Sequence, residues 1–149
     1  MDVLKEKGLV PLRVILGFTL LTTVLHYSHN VLRAQDYPQV PGVGVPATRV
    51  LVAFGWVLFT AFGALGYRDY RAGRYWRSLA FLLVYSLSGL ATAGHFLVGP
   101  VRIPAFWYAT VFTDVVSALA LWVFVCWAAA RLNRVRDAGQ VLHNVDAGH

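Results

Sequence analysis

Three histidines and an aspartate stand inside long apolar runs of this chain: His26, His29, His95 and Asp114. An aspartate at the centre of a membrane helix costs about 2.5–3.5 kcal/mol, so such groups need a partner, a proton or water. Two chemistries would use them. In the first, an acid–base pair of Asp114 with His26 sits in an apolar pocket. His29, Asn30, Arg49 and His95 orient or neutralise that pair, and Trp56, Tyr85 and Trp107 supply wall surface. Such a pocket binds a small hydrophobic molecule, lipid- or terpenoid-like, and proton transfer would isomerise or cyclise it. The second chemistry is a metal site. His26 and His29, at i and i+3, converge on one ion, and His95 and Asp114 complete a nitrogen- and oxygen-rich shell suited to zinc or copper. Haem, held axially by His95 and a histidine of the first helix, is a further metal reading.

The elements that position these residues follow from the spacing of charge. Of 149 residues, 58 % are hydrophobic and the mean hydropathy is +0.58. That is far too apolar for a soluble chain of this size. Charges cluster between uncharged runs long enough to cross a bilayer. These runs predict an all-α, four-helix transmembrane bundle over 1–137, with helices at about 9–33, 47–67, 76–98 and 104–131 and a flexible tail over 138–149. Pro11, Pro46 and Pro104 are read as first-turn prolines, and the prolines and glycines of 34–46 forbid regular helix there.

Net charge is +6 and the isoelectric point about 9.9, yet this balance does not point to nucleic acid. The basic residues fall in three clusters: Lys5, Lys7 and Arg13; Arg68, Arg71, Arg74 and Arg77; Arg131, Arg134 and Arg136. Positive charge concentrates in cytoplasmic segments. The expected orientation therefore has both termini and the 68–77 loop inside, in a plasma-membrane protein. A single cysteine, Cys126, excludes an internal disulfide. The first apolar segment is too long for a cleaved signal and is expected to remain as a helix.

Each expected helix carries its polar residues on one face. The stripes are Thr19, Thr22, Thr23, His26, Asn30 and Arg33; Arg49, Trp56 and Thr60; Tyr85, Ser88, Thr92 and His95; and Thr110, Asp114 and Ser117, with Trp107 one turn earlier. Lipid offers no hydrogen bonds, so such stripes turn inward and meet. Asp114 lies about 15 Å along the fourth helix at 1.5 Å per residue, which places every ionisable member in the outer half. One chamber open to the outer side is the expectation.

The segment "DYP" (Asp36–Pro38), after a first helix with a polar outer end, resembles part of a known family. So does "ALGYRDYRAGRYWRSLAFLLVYS" (64–86), at the junction of the second and third helices. Both are similar to the emopamil-binding-protein and sigma-receptor-like group of small four-helix membrane proteins. The resemblance implies an inner cavity for sterols or other hydrophobic amines, with sterol isomerase activity in some members. That family's acidic ligand-binding residues are not reproduced: the first helix offers His26 and His29, and the expected second helix has no carboxylate. A different class of function is an accessory subunit, with the stripes packing a partner helix in a homodimer or larger membrane complex.

Overall fold

The computed structural model describes residues 2–94, Leu97 and 103–146. Four helices make up most of it: α1 (Asp2–Leu32), α2 (Val45–Arg71), α3 (Tyr75–Ala91) and α4 (Ala105–Asp146). Short 3-10 turns follow α1 at Ala34–Asp36 and α3 at Thr92–Gly94. Among the described residues there is no β-strand. Among the described residues three helices are long and apolar enough to cross a membrane: α1 from Leu4, α2, and α4 as far as Ala138. The chain is an all-α membrane protein.

The helix boundaries differ from expectation in ways the packing explains. Pro11 lies inside α1 and marks no boundary. The turns before it are held by tertiary contact, because Leu4 and Leu12 are buried and the Tyr70 hydroxyl donates to the Leu4 carbonyl at 2.8 Å. Gly8 leaves the room that the Tyr70 hydroxyl occupies. Pro46 does stand in the first turn of α2, after Gly44. The third helix stops at Ala91 rather than 98. The Thr92 hydroxyl donates to the Gly89 carbonyl at 2.6 Å as the chain tightens into its 3-10 turn. Seventeen residues span about 25 Å, short of a hydrocarbon core of about 30 Å. At the other extreme, α4 continues past 131 and through the expected tail to Asp146. Its charged stretch Arg131–Asp137 contains no helix breaker.

α1 packs against α2 and α4, and α3 packs against the same two, so the helices close into a ring with α1 and α3 on the diagonal. One end of the ring, the hairpin end, holds the start of α1 and the turn between α2 and α3. The opposite, loop end holds the segment 33–44. At the hairpin end Gly73 adopts a φ of +75°, the left-handed conformation that closes a helix with least strain in glycine. Asp69 clamps this turn. Its side chain has no exposed surface, and it accepts from Arg74 Nη2 at 2.6 Å, from Arg77 Nε and, at 3.5 Å, from Arg68. Those arginines are about half exposed themselves, so the carboxylate is shielded by its partners at the edge of water, not by apolar core.

The interior changes character along the ring. Near the hairpin end it is an apolar cluster that includes Leu4, Leu12, Tyr70, Leu82, Leu121 and Phe124. Toward the loop end it becomes polar, with Thr19, Thr23, His26, Asn30, Ser88, Thr110, Asp114 and Ser117 buried. Outside, Val14, Leu21, Val50, Phe54 and Val123 are each more than half exposed. An apolar exterior around a partly polar interior is the arrangement that lipid selects.

Candidate functional site

The polar stripes meet, but their members are not equivalent. Most hydroxyls are satisfied within their own helices. Thr19 donates to Ile15 O, Thr22 to Thr19 O, Thr23 to Leu20 O, Ser88 to Tyr85 O, Thr110 to Trp107 O and Ser117 to Asp114 O, all at 2.6–3.2 Å. These groups can be buried without a ligand, and they line close helix contacts.

The ionisable residues are different. His26 has no exposed surface. Its Nε2 lies 2.8 Å from Asn30 Nδ2, one helical turn on, and its Nδ1 lies 3.2 Å from Thr110 Oγ1 on α4. With the asparagine amide as donor, Nε2 accepts and the imidazole proton resides on Nδ1. That same Nδ1 is 4.0 Å from Asp114 Oδ2, too far for a hydrogen bond but close enough for direct electrostatic coupling. Asp114 is equally buried, and among the described residues neither of its carboxyl oxygens meets strict hydrogen-bond geometry; the Thr22 hydroxyl of α1, which donates to Thr19 O, is the polar group near enough to approach it. A buried carboxyl without good hydrogen bonds is costly to keep in a folded chain. It lies nine residues into α4, about 14 Å from the helix start.

Aromatic rings close the cluster toward the loop end. The His29 ring stacks on Trp107 with centroids 4.3 Å apart, and its Nδ1 lies 2.7 Å from the Tyr37 hydroxyl. Tyr37 itself comes from the segment after α1 and is buried. It also stands edge-on to His26 at 6.5 Å. Tyr27 ties α1 to α3 by donating to the Ser88 carbonyl at 2.8 Å. Neither tyrosine is among the residues singled out from the sequence. The "DYP" tripeptide was the available signal for Tyr37, since an aromatic just beyond a polar helix end can fold back over it.

Burial, with Asp36 adding to it, pushes the Tyr37 phenol up to about 12 from an ordinary 10.0. Its neutral form is thus favoured in the fold. Its contribution to stability is whole below pH 10.0 and declines as pH rises from there to about 12, because the unfolded chain loses its proton first. A tyrosinate absorbance titration of wild type minus Tyr37→Phe should show the missing phenol titrating near 12. A difference centred near 10 would mean that the tyrosine does not cap the cluster.

The structure brings His26, His29, Asn30, Trp107 and Asp114 together. It leaves other expected members out. Arg49 is exposed and bonds to the Leu32 carbonyl at 3.4 Å and to Gln35 Oε1 at 3.1 Å. It therefore anchors the end of α1 and does not neutralise Asp114. Trp56 reaches Thr23 Oγ1 at 3.4 Å, on the α2 side of α1. Tyr85 lies at the border: its ring packs in the apolar cluster against Gly63, while its hydroxyl bonds to Thr23 and lies within electrostatic range of Asp114. His95 lies outside the described residues, as does Arg102. No group of three potential ligands that could hold a metal ion occurs among the described residues. His26 and His29 direct ring nitrogens to Asn30, Thr110 and Tyr37, so these atoms serve hydrogen bonds rather than one shared ion. The metal reading has no support in this geometry.

Two open clefts lie away from the cluster: one of about 290 Å³ between α1 and α2 and one of about 400 Å³ between α1 and α4. Both are apolar and both are displaced toward the hairpin end. Compared with protein-family models, curated proteins and solved structures, the chain matches none.

Proposed function

We propose that this chain is a multi-pass protein of the cytoplasmic membrane whose loop-end cluster binds a small hydrophobic molecule bearing a hydrogen-bond donor or a cationic amine. One observation carries the reading: the buried Asp114 carboxyl faces His26 at 4.0 Å and has no hydrogen bond of good geometry among the described residues, with only the Thr22 hydroxyl near it. A donor group on a ligand would satisfy the carboxyl, and the aromatic rings at the loop end would pack against the rest of the molecule. His29, Tyr37 and Trp107 form the aromatic cover, and Asn30 and Thr110 fix the His26 ring. The resemblance to the emopamil-binding-protein and sigma-receptor-like group suggests the same ligand class. The Asp114–His26 pair is also placed to move a proton on a bound molecule, as an isomerase or cyclase requires. The experiment is mass spectrometry of what co-purifies with the native chain and with Asp114→Asn: a stoichiometric hydrophobic molecule in the first and not the second is the supporting result.

In this reading all four helices cross the bilayer, the short α3 reaching across with the 3-10 turn Thr92–Gly94 that continues it, and the hairpin end lies in the cytoplasm. Support comes from charge: Lys5, Lys7, Arg13 and the four arginines of 68–77 belong to that end, against Arg33 and Arg49 near the other. With Cys126 replaced by serine, Val40→Cys should react with a membrane-impermeant maleimide on intact cells. Ala72→Cys should react only after permeabilisation. The reverse pattern would refute the orientation and the cytoplasmic hairpin together.

A further inference from the structure

The cations at the hairpin end divide into two groups. Asp69 ties Arg68, Arg74 and Arg77. Arg13 and Arg71 have no such partner: among the described residues no carboxylate lies within 4.0 Å of either. Both guanidiniums instead flank one ring, each 5.9 Å from the centroid of Tyr67. Arg13 donates its Nε to the Tyr67 hydroxyl at 2.8 Å, which leaves its terminal nitrogens for another acceptor. Both arginines are exposed. Two like charges at one ring, without a counter-charge, form an anion site at the depth where Tyr side chains favour the headgroup region.

Directly beneath them the α1–α2 cleft begins. Arg13 and Tyr67 belong to its lining, and it continues past Leu16, Gly17, Leu20, Gly63 and Ala64. Glycine at a helix interface usually lets backbones close together. Gly63 is used differently, to seat the Tyr85 ring of α3, which a Cβ there would meet at 2.8 Å. Gly17 does not follow that rule either: a Cβ there would meet nothing within 4 Å. The helices thus leave a groove where small residues could have let them touch. Its volume of about 290 Å³ falls at the lower bound of small-molecule pockets, ~300–1,000 Å³, and it is open at the side. A chain segment fits that shape better than an enclosed ring system.

We propose that the α1–α2 cleft is a binding site for one anionic phospholipid, with an acyl chain along Leu16, Gly17 and Leu20 and the phosphate held by Arg13 and Arg71. Charge complementarity selects the occupant. A neutral apolar ligand would leave the arginines unused, and a free anion would leave the groove unfilled. Basic sites between membrane helices on the cytoplasmic side bind anionic headgroups in the same way. This site is separate from the Asp114 cluster and does not depend on how that cluster is used.

The test is native mass spectrometry of the delipidated full chain in detergent, titrated with phosphatidylglycerol or phosphatidylcholine. Wild type should hold one phosphatidylglycerol under activation that strips phosphatidylcholine. The double substitution Arg13→Gln, Arg71→Gln should weaken that binding at least tenfold. Gly17→Leu should do the same by filling the groove with charge unchanged, and Ala64→Leu gives an equivalent block from the opposite wall. Arg136→Gln, remote from the cleft, should bind as wild type does. Equal retention of the two lipids, or full retention by the double arginine variant, overturns the proposal. So does loss in the arginine variant with retention in both leucine variants, which would mean surface attraction without a groove. Displacement of the lipid by inorganic phosphate alone would reassign the arginines to a soluble anion and overturn it as well.

Discussion

Gly89→Leu should leave α3 unable to dock on α4 and yield protein that aggregates on extraction, while Gly17→Leu extracts normally. At Gly89 an added Cβ would fall 2.5 Å from the Asp114 carbonyl oxygen and 3.1 Å from the Ala118 Cβ. The nearer obstacle is backbone, so no side chain can rotate away. Overpacking of this kind costs about 1–3 kcal/mol even where some adjustment is possible. Separating the helices would also disturb the Tyr27 bond to the Ser88 carbonyl. The intermediate substitution measures the contact. Gly→Ala in a helix gains about 1 kcal/mol from backbone entropy alone. Gly17→Ala should show that gain, whereas Gly89→Ala should be destabilised by a few kcal/mol relative to it. Thermal unfolding in detergent, followed by far-ultraviolet circular dichroism, reads the difference. Equal midpoints for the two alanine variants would mean that α3 and α4 do not meet at Gly89.

The sequence disclosed the polar interior because the membrane imposes a strong rule: a polar group that cannot face water must face another helix. Steps of three and four placed Thr19, Thr23, His26 and Asn30 on one side of α1, and all are buried. The same rule could not say which partners meet. Arg49 satisfies a helix pattern, yet its long side chain turns back to the Leu32 carbonyl and Gln35. A heptad position fixes a direction at Cβ, and four rotatable bonds beyond it remain free. Tyr37 was hidden for the opposite reason, since its position depends on how the segment after α1 folds. Pro11 misled because proline reports local strain, whereas the first turns of α1 are held by Leu4 and Tyr70 across the ring. The run of arginines at 68–77 reads from the sequence as an orientation signal alone, whereas in the fold Asp69 uses three of them to lock the turn. That second role needs the turn geometry set by Gly73.

Asp114→Asn separates a functional carboxyl from a structural one. The amide has nearly the same shape, so packing against His26 and Gly89 is retained, and no ion has to be accommodated in a buried position. Thermal stability of the ligand-free chain should therefore stay level or rise. A structural aspartate would behave otherwise, because removing one member of a buried charged pair typically costs about 3–5 kcal/mol. Binding should move the other way. A hydrogen bond to a charged group contributes about 1.5–3 kcal/mol, and each 1.4 kcal/mol is tenfold in affinity. Loss of roughly 10- to 100-fold is expected for a ligand whose donor or amine meets Asp114. Both quantities come from one preparation: affinity for the co-purified molecule by native mass spectrometry, and the unfolding midpoint after its removal. A variant that loses stability and binding in parallel would make Asp114 a structural group. A variant that keeps both would remove Asp114 from the site.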